Sequence, residues 1–321
     1  MLDPELISPV ASTRSARAQA RWAALPDNLQ GGILYLISAS ILVVMMALIK
    51  LAGQRLHVTE ILFFRQLIMV AIALPAIIGG FPASMRSKRV DLQLTRVGLA
   101  FGAMLLGFTA VIHLPLAEAT TLGFTKTFFM TILGILLLGE VVRARRWAAL
   151  AVGFGGAMII VWPTGSGEFN IYGLASIASA CMVALVMVLI RKLSRVDQPV
   201  TILSYQAIGV GVLMFLPMLW FWQTPTLRDA GLLAMIGALA VAGQYINILA
   251  LKAAETSSLA PLDFIRLVFA GALGWMVFGE WPENRVFVGA AVIVGAALYT
   301  LHRERRAKAP ADRNDAFLPK R

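Results

Sequence analysis

Apolar stretches of about twenty residues recur along the whole chain, separated by short polar breaks. Ten are legible, at 29–49, 60–80, 97–114, 119–139, 147–163, 171–190, 199–222, 230–251, 256–279 and 286–302. About 20 mostly apolar residues cross the hydrocarbon core of a bilayer. Each stretch is therefore predicted to be a transmembrane helix, the third and fifth being short. Barrel strands would instead alternate apolar and polar positions over about 10 residues. Runs such as IGALAVAG and MTILGILLLG do not alternate. The expected fold class is an all-α membrane protein with ten transmembrane helices.

Composition removes the soluble alternatives. Of the 321 residues, 59% are hydrophobic and 14% charged, against about 45–50% and about 25% in soluble domains. Cys181 is the single cysteine, which excludes a disulfide scaffold, and with His57, His113 and His302 it leaves almost no material for a zinc site. No metal, cofactor or catalytic residue is expected. The net charge of +11 would suggest nucleic acid in a soluble protein, so its distribution matters. The two tails and every second loop between spans carry 21 Lys and Arg, including Arg14, Arg89, Arg96, Arg146, Arg191 and Lys252. The opposite loops carry four, Lys50, Arg55, Arg228 and Arg285. Cytoplasmic loops hold the basic excess. Both termini are thus expected in the cytoplasm of a multi-pass protein of the bacterial inner membrane, and no nucleic-acid partner is required. The polar stretch 1–28 and the first span read as a tail followed by a retained helix. A cleaved signal would have a shorter apolar stretch and a small-residue cleavage site.

The two halves resemble each other. GGILYLISASILVVMMALIK ends at Lys50 and YGLASIASACMVALVMVLIR ends at Arg191, 141 positions on. EILFFRQL with Arg65 aligns with TILSYQAI with Gln206. FTKTFFMTILGILLLGE ends at Glu140 and FIRLVFAGALGWMVFGE at Glu280, which places Lys126 on Arg266. The expected organisation is a tail at 1–28, a first repeat at 29–163, a second at 170–302 and a tail at 303–321. Five spans per repeat would insert the second upside down relative to the first, and inverted repeats place a substrate site at their interface near mid-membrane.

The stretches LPLAEATTLGFTKTFFMTILGILLLGE and SSLAPLDFIRLVFAGALGWMVFGEWP resemble the EamA family of the drug/metabolite transporter superfamily. The likeness covers about residues 29–302. Thr127 stands where that family often carries proline. The resemblance implies a secondary-active carrier of a small metabolite, with drug or toxic-metabolite efflux as the alternative and a non-transporting receptor or scaffold as a distant one. A coupling proton and a homodimer stay open as partners beside the substrate and the bilayer. No Walker motif is present, so ATP is not the direct energy source. The spans hold no nucleophile–base constellation that would make an enzyme.

Three basic residues lie within the predicted spans: Arg65, Lys126 and Arg266. Charges there face a partner or an aqueous cavity. At 1.5 Å per residue they lie about 8, about 10 and about 15 Å into their helices. Lys126 and Arg266 then flank the middle, where an anionic, carboxylate-bearing or zwitterionic substrate would suit them. Arg65 could instead snorkel to the outer interface. Asp263 lies three residues before Arg266 and shares its face, as an ion pair or a coupling site. Gln206, Gln244 and Tyr245 complete the candidate binding set. His113 could shuttle protons or simply be solvated. Glu140 and Glu280, at helix C-termini where the dipole disfavours a carboxylate, are expected to pair with Arg143, Arg145 and Arg146 and with Arg285. Glu118 and Glu255 are expected in solvated turns. Ala149, Gly153, Ala291 and Gly295 form small-xxx-small pairs that suit close helix packing or a dimer face. Trp162, Trp220, Trp222, Trp275 and Trp281 are read as interfacial anchors.

Overall fold

The structure is a computed structural model and describes residues 25–82, 85–138, 144–162, 170–253 and 259–308. Among them there is no strand. The helices are α1 Asp27–Ala52, α2 Val58–Gly79, α3 Val90–His113, α4 Leu116–Gly123, α5 Lys126–Leu138 and α6 Ala144–Val161 in the first half. The second half has α7 Ile171–Leu193, α8 Pro199–Trp220, α9 Leu227–Ala253, a 3-10 helix Ala260–Phe264, α10 Ile265–Phe278 and α11 Asn284–Lys308. Five of these, α1, α3, α7, α8 and α9, contain stretches long and apolar enough to cross a membrane, and two shorter apolar helices lie at Trp147–Val161 and Asn284–Tyr299.

Local chemistry explains several boundaries. Asn170 caps α7 by accepting from the Tyr172 and Gly173 amides at 3.1 and 3.3 Å. Gly279 ends α10 in the left-handed region at φ 66°, its amide on the Trp275 carbonyl and that of Glu280 on Gly274. Glycine tolerates that φ because it has no Cβ. The predicted span 119–139 is two helices. Between α4 and α5 the amides of Phe124, Thr125, Thr127 and Phe128 bond three residues back, to Thr121, Leu122, Phe124 and Thr125. A tight 3-10 stretch thus interrupts the helix without the family's proline at Thr127. The equivalent interruption in the second half is the 3-10 helix containing Pro261.

Helix packing follows the repeat. The two most extensive pairings are α1 with α9 and α3 with α7, and each becomes the other when the halves are exchanged. The same exchange turns α2–α9 into α3–α8, and α5–α7 into α1–α10, while α2–α8 and α6–α11 map onto themselves. Loops obey it too. At one end Asp229 accepts from Thr226 and pairs with Arg55. At the other, Asp197 accepts from Ser87 Oγ, the Lys88 amide and Gln93 Nε2 at 2.5, 2.9 and 2.9 Å. Burial works against the Asp197 charge, but these bonds outweigh it and hold the carboxyl below its usual range.

Several expectations need correction. The third helix starts at Val90, seven residues before the predicted 97, and Arg96 is therefore inside it, 1% exposed. Its guanidinium binds the Gln206 side chain and, at 2.9 Å, the Ile202 carbonyl, so a loop cation is in fact a buried link between α3 and α8. Lys50, also counted as a loop residue, is buried and pairs with Glu280. Glu280 consequently does not pair with Arg285, which binds Glu283 at 2.6 Å and the Trp162 carbonyl at 3.0 Å. Glu118 is buried within α4 rather than solvated in a turn. α6 and α11 do pack together, but their closest approach runs through Gly156 and Gly289: a Cβ on Gly289 would lie 2.7 Å from the Gly156 carbonyl oxygen. Gly153 instead faces Phe128, and Gly295 has nothing near. Glu140, Arg143, Glu255 and the tails at 1–24 and 309–321 lie outside the described residues. The five tryptophans read as anchors are all exposed, at or near helix ends.

Candidate functional site

The two helix interruptions set the site. Lys126 is the first residue of α5 and Arg266 the second of α10, each directly after a 3-10 stretch. Asp263 sits in the second stretch, and its repeat counterpart, 140 positions earlier, is Gly123. One carboxylate therefore serves both cations. Asp263 Oδ2 accepts from Lys126 Nζ at 3.3 Å, and Oδ1 from Arg266 Nη1 at 3.2 Å and from the Tyr35 hydroxyl of α1 at 2.9 Å. The group joins α1 and α5 of the first half to α10 of the second. Two cations against one anion leave a formal charge of +1.

Beside it lies a cavity of about 300 Å³ between the halves. Lys126 and Arg266 line it, with Thr120, Ser176 and Ser179 as further polar groups. Its apolar wall includes Met45 and Met46 of α1, Met104 and Phe108 of α3, and Phe124. Mostly apolar walls with a few convergent polar groups describe a small-molecule site. Ser179 Oγ is committed to the Ala103 carbonyl at 2.7 Å. The buried Arg266 Nε has no hydrogen-bond partner.

The remaining candidates lie elsewhere. Arg65 stacks its guanidinium over the Phe108 ring, 5.7 Å from the centroid, and is not among the lining residues. It reaches the cavity only through that ring, a cation–π contact. Gln206 is held by Arg96. Gln244 and Tyr245 are exposed on α9 and do not line the cavity. His113 is exposed at the end of α3 and stacks on Tyr172, with centroids 4.0 Å apart. Tyr35 was not among the residues singled out by sequence. Its signal was a lone phenol inside an apolar span, at the repeat position of Ser176, which lines the cavity. Among the described residues, no cluster of three His, Cys, Asp or Glu side chains could hold a metal ion.

The sequence model of the EamA-like transporter family matches residues 29–162 and again residues 170–301. The pseudopaline exporter CntI of Pseudomonas aeruginosa is 31% identical over 285 residues, covering 85% of this chain and 96% of that protein. An S-adenosylmethionine uptake transporter of Rickettsia bellii is 28% identical, over 80% of this chain and 88% of its own. A riboflavin transporter of Brucella anthropi is likewise 28% identical, over 79% and 92%. A solved crystal structure superposes with a TM-score of 0.59 at 18% identity, over 88% of this chain and 99% of that one, a likeness of fold alone.

Proposed function

The chain belongs to the EamA-like transporter family, and from that premise we propose that it carries a small anionic or zwitterionic metabolite by secondary-active, alternating-access transport. The reading takes residues 29–163 and 170–302 as two inverted five-helix repeats in a bacterial inner membrane, with both termini cytoplasmic. The broken fourth and ninth spans would place the two cations in a central site, the region where discontinuous helices of other inverted-repeat carriers bind substrate. The observation that carries the proposal is the cavity between the halves, lined by Lys126 and Arg266, which share the single carboxylate of Asp263. Its electrostatics favour a carboxylate-bearing ligand, because hydrogen bonds between charged groups are roughly twice as strong as neutral ones. The reactions are binding and release, with no covalent step.

The Met45, Met46 and Met104 wall supports a second reading, efflux of apolar toxic compounds, since methionine adapts to varied shapes. Flux into proteoliposomes of purified protein, measured for carboxylate-bearing metabolites, their neutral amides and apolar toxic compounds, separates the two. Saturable flux of the carboxylates is expected, with their amides carried poorly. Preference for the apolar compounds would favour the second reading, and no flux of any class would return the receptor or scaffold. Reporter fusions after Arg89 and Arg195 should read as cytoplasmic and one near Thr226 as periplasmic. The reverse pattern would overturn the orientation.

A further inference from the structure

The two cations that line the cavity are incompletely satisfied. Arg266 reaches Asp263 through one nitrogen at 3.2 Å rather than a two-bond fork, and its buried Nε has no partner. Lys126 stands 3.3 Å from the other oxygen. Charge-assisted N–H···O bonds prefer about 2.7–2.9 Å. Asp263 itself is not among the lining residues, so cations face the cavity and their carboxylate stands beside it. We propose that Asp263 is a resident counter-anion competing with a substrate carboxylate for Lys126 and Arg266, so that each carboxylate bound brings one proton onto Asp263. This rests on the cavity being the transport site.

The charge balance is closed. At rest the group holds Lys126⁺, Arg266⁺ and Asp263⁻. A solvent hydronium ion gives its proton to a carboxylate oxygen of Asp263, so that one O–H bond breaks in the hydronium, leaving water, and one forms on the carboxyl. Lys126 and Arg266 then exchange that carboxylate for the incoming one. The formal charge is +1 before and after, so proton and carboxylate move together without leaving an unpaired cation or anion in low dielectric. Tyr35 suits both states, because a phenol donates to an ionised carboxylate and accepts from a protonated one. The other groups facing Asp263 are Lys126 from α5 and Arg266 from α10. No further titratable side chain among the described residues bonds or pairs with it.

The test needs no knowledge of the natural substrate. Purified full-length protein in detergent is titrated with acetate, and in parallel with acetamide, while thermal unfolding is followed. At pH 8, Asp263→Asn should be stabilised saturably by acetate and not by acetamide, since its two cations lack their anion. Wild type at pH 8 should respond weakly. Between pH 8 and 6 the half-saturating acetate concentration of wild type should fall up to tenfold per pH unit, the slope for one linked proton. In Asp263→Asn that slope should vanish. Equal effects of acetate and acetamide on the variant would overturn the proposal, as would a pH-independent acetate response in wild type. The wild-type titration decides by itself if Asp263→Asn does not fold. Because unfolding is read without flux, the two failures are told apart: an acetate response without transport in liposomes would refute the carrier assignment, and transport without a pH-linked acetate response would refute the competition.

Discussion

Glu280→Gln should be among the most destabilising single substitutions outside the cavity. Lys50 lies in the last turn of α1 and Glu280 follows α10, so their pair fastens the first half to the second. The Lys50 side chain is 8% exposed and that of Glu280 21%. Lys50 also donates to the Leu114 carbonyl at 2.5 Å, and Glu280 accepts from the Leu116 amide at 3.2 Å. Phe278 lies under the ammonium, 5.3 Å from Nζ. Removing one partner of a buried pair costs about 3–5 kcal/mol, because the other charge is left uncompensated. Glutamine keeps an acceptor for Leu116, so a loss of about 3 kcal/mol is expected, the lower end of that range. The matched control is Glu283→Gln on Arg285, where Glu283 is 65% exposed; exposed pairs contribute about 0–1 kcal/mol. Equilibrium unfolding in mixed detergent–SDS micelles measures both. Replacing Lys50 and Glu280 together by methionine should cost far less than either single change, since no charge is then stranded. If Glu280→Gln costs no more than Glu283→Gln, the pair is not buried in the working protein and the reasoning fails.

Three further outcomes are expected. Lys126→Gln and Arg266→Gln should each lower carboxylate flux by about tenfold or more while expression and insertion stay intact, as the loss of a charge-assisted bond of about 1.5–3 kcal/mol requires; normal flux in both would remove the cations from the site. Gly289→Ala should cost about 1–3 kcal/mol, because its Cβ meets Ile160 at 2.4 Å and the Gly156 carbonyl at 2.7 Å. Gly295→Ala, with nothing within 4 Å, should be neutral, and equal effects of the two would contradict the α6–α11 contact. His57, which stacks on Phe221 and bonds Thr59, has its pKa lowered by burial. Its folded form therefore disfavours the proton, so its contribution is present above the ordinary histidine pKa and is lost as pH falls through the folded value. Wild type should lose more stability than His57→Gln between pH 8 and 5, and parallel curves would exclude this histidine.

Much of the architecture was legible because hydrophobic thickness and period are one-dimensional properties. The length of the apolar runs predicted ten helices of membrane-crossing length, of which five are found among the described residues, and the 140-residue offset predicted two halves of like pattern. The same offset set Lys126 against Arg266, and three-residue spacing put Asp263 beside Arg266, since a helical turn brings such residues together. What only tertiary structure decided was which distant groups meet. Lys126 and Tyr35 reach Asp263 from 137 and 228 residues away, and no local spacing encodes that convergence. Arg96 and Lys50 read as loop charges because hydropathy windows end at charged residues, yet both are buried once a partner on another helix compensates them. Glu280 pointed by proximity in sequence to Arg285, but its carboxylate is held by Lys50 and the Leu116 amide from the other half. The 3-10 break before Lys126 carries no proline to announce it, and it is visible only in the bonds the backbone makes. Helix length and repeat follow from solvent matching along one chain, whereas ion pairing depends on which side chains the packed halves bring within a few ångströms.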